Sequence, residues 1–120
     1  MKTAVMFAAI SATLSVLTNP TLPALAGTSA YVGGGLLSGG LDKCLQDAKK
    51  AATKAGFSEY QEIVMDENKK AGDFHADQKD STLHMTMRCD PPEGVWSIAV
   101  SGVDSEQTLK GYNDLMKAFE

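Results

Sequence analysis

Positive charge is what this sequence has too little of. Eleven lysines and arginines stand against 15 aspartates and glutamates, for a formal net charge of −4. Nucleic acids and anionic lipid surfaces are bound through a basic face that displaces counterions, and the basic pairs here, Lys49 with Lys50 and Lys69 with Lys70, are isolated. Neither is expected as a partner. Cysteine is scarce too: Cys44 and Cys89 are the only two, and no C-x-x-C spacing occurs. That argues against a redox pair or a thiolate metal site. Long apolar runs are also missing. The longest, residues 4–17, is about 14 residues, where a membrane-spanning helix takes roughly 20.

The flanks of that run give it a meaning. Met1 and Lys2 precede it, and it leads into TNPTLPALAG, where Ala24 and Ala26 hold the small-residue positions of an A-x-A cleavage site. The pattern predicts a secretory signal peptide over residues 1–26, cleaved near Ala26. The mature chain is then exported, to a periplasm or the extracellular space, with no membrane insertion. No cysteine follows the small residues to carry a lipid. Lys2 is the only charged residue removed, so ten basic and 15 acidic residues remain, a net charge of −5. What is left suits one small monomeric domain. Export also delivers Cys44 and Cys89 to an oxidising compartment, where such a pair closes into a disulfide. On the chain-entropy argument, closing a loop of about 45 residues is worth about 4 kcal/mol.

Residues 27–40, GTSAYVGGGLLSGG, are glycine-rich and uncharged, the composition of a flexible linker. The spacing G-x-G-x-x-G fails at Ser38, and no Gly-Lys-Ser/Thr follows, so a phosphate-binding loop is not indicated. A single α+β domain is expected over residues 41–120. Leu41, Cys44, Leu45, Ala48, Ala51, Ala52 and Ala55 recur at steps of three and four and stop at Gly56, the pattern of an amphipathic helix with a glycine cap. A β-prone run over residues 60–65 and a polar turn follow. Residues 72–89, GDFHADQKDSTLHMTMRC, then alternate as a hairpin. Phe74, Ala76, Leu83, Met85, Met87 and Cys89 form the dry side, and Asp73, His75, Asp77, Thr82, His84, Thr86 and Arg88 the wet side. Its turn is expected within residues 78–81. After the breaker DPPEG, VWSIAVSG gives a last strand. Asp104 and Gln107 stand in capping relation ahead of a helix whose apolar face carries Leu109, Tyr112, Leu115, Met116 and Phe119. The expected architecture is α-β-β-β-β-α, a four-stranded antiparallel meander with both helices on one face, a two-layer sandwich.

A cysteine opening an alanine-rich helix that ends AGF, a strand pair ending RC, and a last strand ending VSG before a closing helix resemble small exported bacterial proteins of an uncharacterised family. The resemblance spans residues 41–120. It implies the fold and the compartment and carries no activity with it.

Two readings compete on the wet side. His75 and His84 are the only histidines, and a two-residue hairpin loop sets them opposite one another, with Asp77 or Asp73 as a third ligand for zinc, copper or nickel. The plainer reading takes these residues as the wet side of a half-exposed sheet that binds a protein or a cell-envelope component, with no cofactor. Met85 and Met87 alternate with polar residues, which favours core packing over copper ligation. Ser97, Ser101, His84 and Asp77 can share a face, but a serine on a regular strand has no oxyanion donors. An enzyme is therefore not expected. Trp96, Ile98 and Val100 are expected in the core, while the reverse parity makes them an apolar strip beside the histidines.

Overall fold

The computed structural model describes residues 28–120, and the expected signal peptide lies outside them. The elements are β1 (Ser29–Leu36), α1 (Leu41–Lys54), β2 (Glu59–Met65), β3 (Gly72–Asp77), β4 (His84–Asp90), β5 (Val95–Gly102) and α2 (Ser105–Ala118). The α+β class is as expected, but the antiparallel sheet has five strands, in the order β1-β5-β4-β3-β2. The meander β2 to β5 is present, and β1 extends it at the far edge.

The stretch expected as a flexible linker is therefore a strand. Every residue of Ser29–Leu36 pairs with β5, from Ser29 opposite Gly102 to Leu36 opposite Val95. Its glycines answer to packing rather than flexibility. A Cβ on Gly33 would run into the Tyr112 hydroxyl of α2, and one on Gly35 would lie 3.1 Å from the Trp96 indole. Only bare backbone lets these rings lie across the edge strand. Tyr31 on the same face bonds Ser105 through its hydroxyl at 3.1 Å, tying β1 to α2.

Helix α1 buries Cys44, Leu45, Ala48, Ala51 and Ala52, the stripe read from its spacing. Gly56 ends it in the left-handed region at φ +92. The Phe57 N–H then donates back to Ala52 O at 2.7 Å and the Gly56 N–H to Thr53 O at 3.1 Å, a Schellman motif that leaves Phe57 buried in the core. Helix α2 starts at Asp104, whose carboxylate accepts from the Gln107 N–H at 2.8 Å. The alternation of β3, β4 and β5 is strict on the covered face: Phe74, Ala76, Met85, Met87, Cys89, Ile98 and Val100 are all buried. Helix α1 contacts β3 and β4, and α2 contacts β1 and β5, so the two helices divide one face between them. Met85 and Met87 are core residues, and Trp96 packs against that core with its ring 5.9 Å from Phe119. The Cys44–Cys89 disulfide joins α1 to β4, Cα atoms 6.1 Å apart.

A chain beginning at Ser38 deletes β1 with Tyr31, exposes the edge of β5 and removes the seat of Tyr112. Thermal unfolding should show a loss of several degrees or more, and Gly33→Val in the whole domain should cost roughly 1–3 kcal/mol through overpacking against Tyr112. Equal melting of the chains beginning at Ser38 and at Gly27 would contradict this account of β1.

Candidate functional site: the open face of the sheet

Helices cover one side of the sheet, which leaves the other side open. The residues there come from alternation. Once Phe74, Met85 and Ile98 face the helices, Asp73, His75 and Asp77 of β3, His84, Thr86 and Arg88 of β4, and Ser97, Ala99 and Ser101 of β5 must point the other way. Six of the seven residues expected on the wet side stand on it. Thr82 does not: it lies in the connection, where its hydroxyl accepts from the Val103 N–H at 3.4 Å.

The β3–β4 connection is longer than expected, and this corrects the register. Gln78 N–H donates to Leu83 O at 2.9 Å, Asp80 takes φ +56, and the Ser81 hydroxyl accepts from the Leu83 N–H at 2.9 Å. The loop thus occupies residues 78–83. Asp77 faces His84, and His75 faces Thr86, so the two histidines are diagonal neighbours.

Their rings are still stacked, with centroids 5.8 Å apart, and a single hydrogen-bonded chain crosses both. Asp77 Oδ1 lies 2.6 Å from His84 Nδ1, Thr86 Oγ1 lies 3.2 Å from His84 Nε2, and His75 Nδ1 lies 2.9 Å from Thr86 Oγ1. An ionised carboxylate only accepts, so it holds the proton of neutral His84 on Nδ1. His84 Nε2 must then accept from the Thr86 hydroxyl, whose oxygen accepts from His75 Nδ1–H. His75 Nε2 is left as an outward acceptor.

The same chain bears on the expected metal site. Both nitrogens of His84 are engaged and the Thr86 hydroxyl stands between the rings. Among the described residues no group of three or more His, Cys, Asp or Glu side chains is placed to hold a metal ion. The register explains this, because it makes the histidines diagonal rather than opposed.

Next along the face, Arg88 is held by carboxylates. Its guanidinium grips Asp66 in two-pronged fashion, at 2.7 and 3.1 Å, and reaches Asp73 at 3.3 Å and Asp90 at 3.5 Å. The hydrogen bonds to Asp66, then the nearby carboxylate charges, raise the Arg88 pKa above its usual value. The Arg88 hydrogen bond likewise holds the Asp66 carboxyl below its ordinary 3.8.

Sequence reasoning missed the apolar half of this face. Val32 is 73% exposed, Leu36 86% and Val95 40%. Val32 borders, with Gly33, Thr86, Arg88, Ser97, Ile98 and Ala99, a shallow depression of about 310 Å³, while Leu36 faces Val95 at the far end of the β1–β5 pair. The signal was present as Val32 and Leu36 at even spacing, but the glycines between them concealed the strand.

The chain matches no protein-family model, no curated protein and no solved structure.

Imidazole ¹⁵N shifts at pH 9 should report the Nδ1–H form for both histidines, and Asp77→Ala should release His84 to mixed tautomers. Two Nε2–H rings in the unaltered protein would contradict the chain of hydrogen bonds. Acid unfolding tests the Arg88 clamp. A lowered Asp66 pKa adds stability above the unfolded value of 3.8, which is lost as pH falls through the lower folded value. Asp66→Asn should flatten the slope of melting temperature against pH below about pH 4. An unchanged slope would mean that the clamp is not retained in solution.

Proposed function

We propose that the mature chain is an exported, monomeric, non-catalytic binding module that takes a protein or a cell-envelope component on the open face of its sheet. One observation carries this reading: the helices leave a five-stranded face on which an ordered polar chain adjoins a side chain as exposed as Val32. Exposed apolar side chains grouped beside fixed polar groups are the makings of an interface.

Export is supported by the Cys44–Cys89 disulfide, which persists in oxidising compartments, and by the signal-like pattern of residues 1–26. No helix among the described residues is long and apolar enough to cross a membrane. The resemblance to small exported bacterial proteins points to the same compartment.

A non-catalytic role is supported by the backbone around Thr86. Thr86, His84 and Asp77 form the hydroxyl, imidazole and carboxylate series of a hydrolytic triad. Thr86 nevertheless sits mid-strand, paired with His75 on one side and Ala99 on the other, where the ladders use the amides that an oxyanion would need. His75 also occupies the hydroxyl oxygen.

Capture from a cell-envelope fraction on the immobilised oxidised protein tests the reading. The double variant Val32→Asp, Thr86→Arg, altered only on the open face, should lose captured material at least tenfold, while Lys49→Ala on the exposed side of α1 should not. Equal capture by the face variant and the unaltered protein would remove the open face from the interaction.

A further inference from the structure

The sheet ends at β1 on one side and at β2 on the other, and the outer strand of any open sheet carries backbone N–H and C=O groups with no neighbouring strand to take them. The β2 edge is guarded. Its register shifts between Glu59 and Glu62, Tyr60 takes φ +51 at the shift, and the two glutamates add charge. A bulge and charges keep a further strand off an edge. The β1 edge has neither. All of Ser29–Leu36 pairs with β5 without a shift, and the strand holds no charge and no proline.

The parity of its hydrogen bonds shows which groups are free. Leu37 N–H donates to Gly94 O at 2.9 Å, so at steps of two Gly35, Gly33, Tyr31 and Ser29 turn their backbone groups toward β5. Ala30, Val32, Gly34 and Leu36 must turn theirs outward, and all four are exposed. The Tyr112 hydroxyl reaches Val32 O at 3.4 Å and leaves that carbonyl a second lone pair. Among the described residues the four outward N–H groups have no acceptor. Tyr31 on Ser105 and Leu37 on Gly94 hold the strand at both ends, so little order has to be gained on binding.

Donors and acceptors repeating every second residue along one line are matched by another extended backbone. Side chains and charge narrow the choice. The residues that turn their backbone outward also place Val32 and Leu36 on the open face, so an added antiparallel strand sets its own side chains beside them there. At the start of β1, Ser105 stands between exposed Asp104 and Glu106, and at its end Gly94 follows exposed Glu93. Lys43, beyond that end beside Gly39, is paired with Asp47 at 2.7 Å. Both ends of the edge are therefore acidic and call for basic residues. A second copy of this chain, paired antiparallel through β1, would bring its Glu93 to Asp104 and Glu106, like charge against like.

We propose that β1 takes an extended segment of a partner protein as a further antiparallel strand, with apolar residues beside Val32 and Leu36 and basic residues at either end. The inference rests on the open-face reading in making the partner there a protein, and it adds the form and charge of the segment that docks.

The probe is the end-blocked peptide Lys-Thr-Val-Thr-Val-Thr-Val-Thr-Lys, methylated on its threonine amide nitrogens so that only the valine amides can pair. Titrated into the oxidised protein, it should bind saturably with a Kd of roughly 0.1 mM, as suits a small interface. The amide signals of Ala30, Val32, Gly34 and Leu36 should shift most and gain protection from exchange. Methylation of the valine amides instead forces pairing through threonine, sets threonine beside Val32 and Leu36, and should weaken binding about tenfold. Glutamates in place of the terminal lysines should weaken it severalfold at low salt. Val32→Pro removes one outward N–H, which an edge strand tolerates, and should also weaken binding about tenfold. The two methylated peptides decide the matter on the unaltered protein if that variant melts early. Equal binding of both, or shifts centred on β2, overturns the proposal. So does sedimentation showing that the protein pairs with itself through β1. Absence of peptide binding while capture through the open face persists overturns the edge inference alone.

Discussion

The fold depends on how closely α1 lies against the sheet. Alanines at positions 48, 51 and 52 are at most 3% exposed, so the helix meets β3 and β4 through small side chains and its backbone comes near. That approach leaves little apolar volume per residue, and a domain this small has little to spare. The Cys44–Cys89 bond stands at one end of the contact and Phe57, behind the Gly56 turn, at the other. Between them they hold the helix in one position on the strands.

Fixing α1 on one side gives the sheet its two characters. Every second residue of β3, β4 and β5 goes under the helices, and the alternate residues must face solvent. Polar residues on such a face satisfy one another. The aspartates around Arg88 hold it, and Thr86 links two imidazoles to Asp77, so the polar half of the open face is ordered by its own contacts. An ordered face loses less side-chain freedom on binding than a loose one. Val32, Leu36 and Val95 on the same face stay exposed.

The edge strand β1 is where composition misled. Glycines in series ordinarily signal a mobile tether, because bare backbone has the most freedom to lose. Here two of them pass beneath Tyr112 and Trp96, which lie more than 60 residues away in sequence. A requirement for absent side chains imposed by distant rings has no local signature. The same reasoning accounts for the register of the hairpin. Alternation showed which side His75 and His84 occupy, but the loop length set which residue opposes which, and Asp80 in the left-handed region makes that loop six residues rather than four.

What the sequence determined by itself is what depends on periodicity and on near neighbours: the stripe of α1 and its glycine cap, the Asp104 cap of α2, the dry and wet sides of β3 and β4, and the Cys44–Cys89 pairing. Each is settled by residues a turn or a strand apart or, for the cysteines, by there being only two. The tertiary structure alone decided that β1 joins β5, that Thr86 rather than a serine meets His84, that Asp66 reaches Arg88 from outside the strands, and that Trp96 stacks on Phe119. Those contacts join segments far apart in the chain, and their geometry follows from strand order and loop length, which local pattern leaves free.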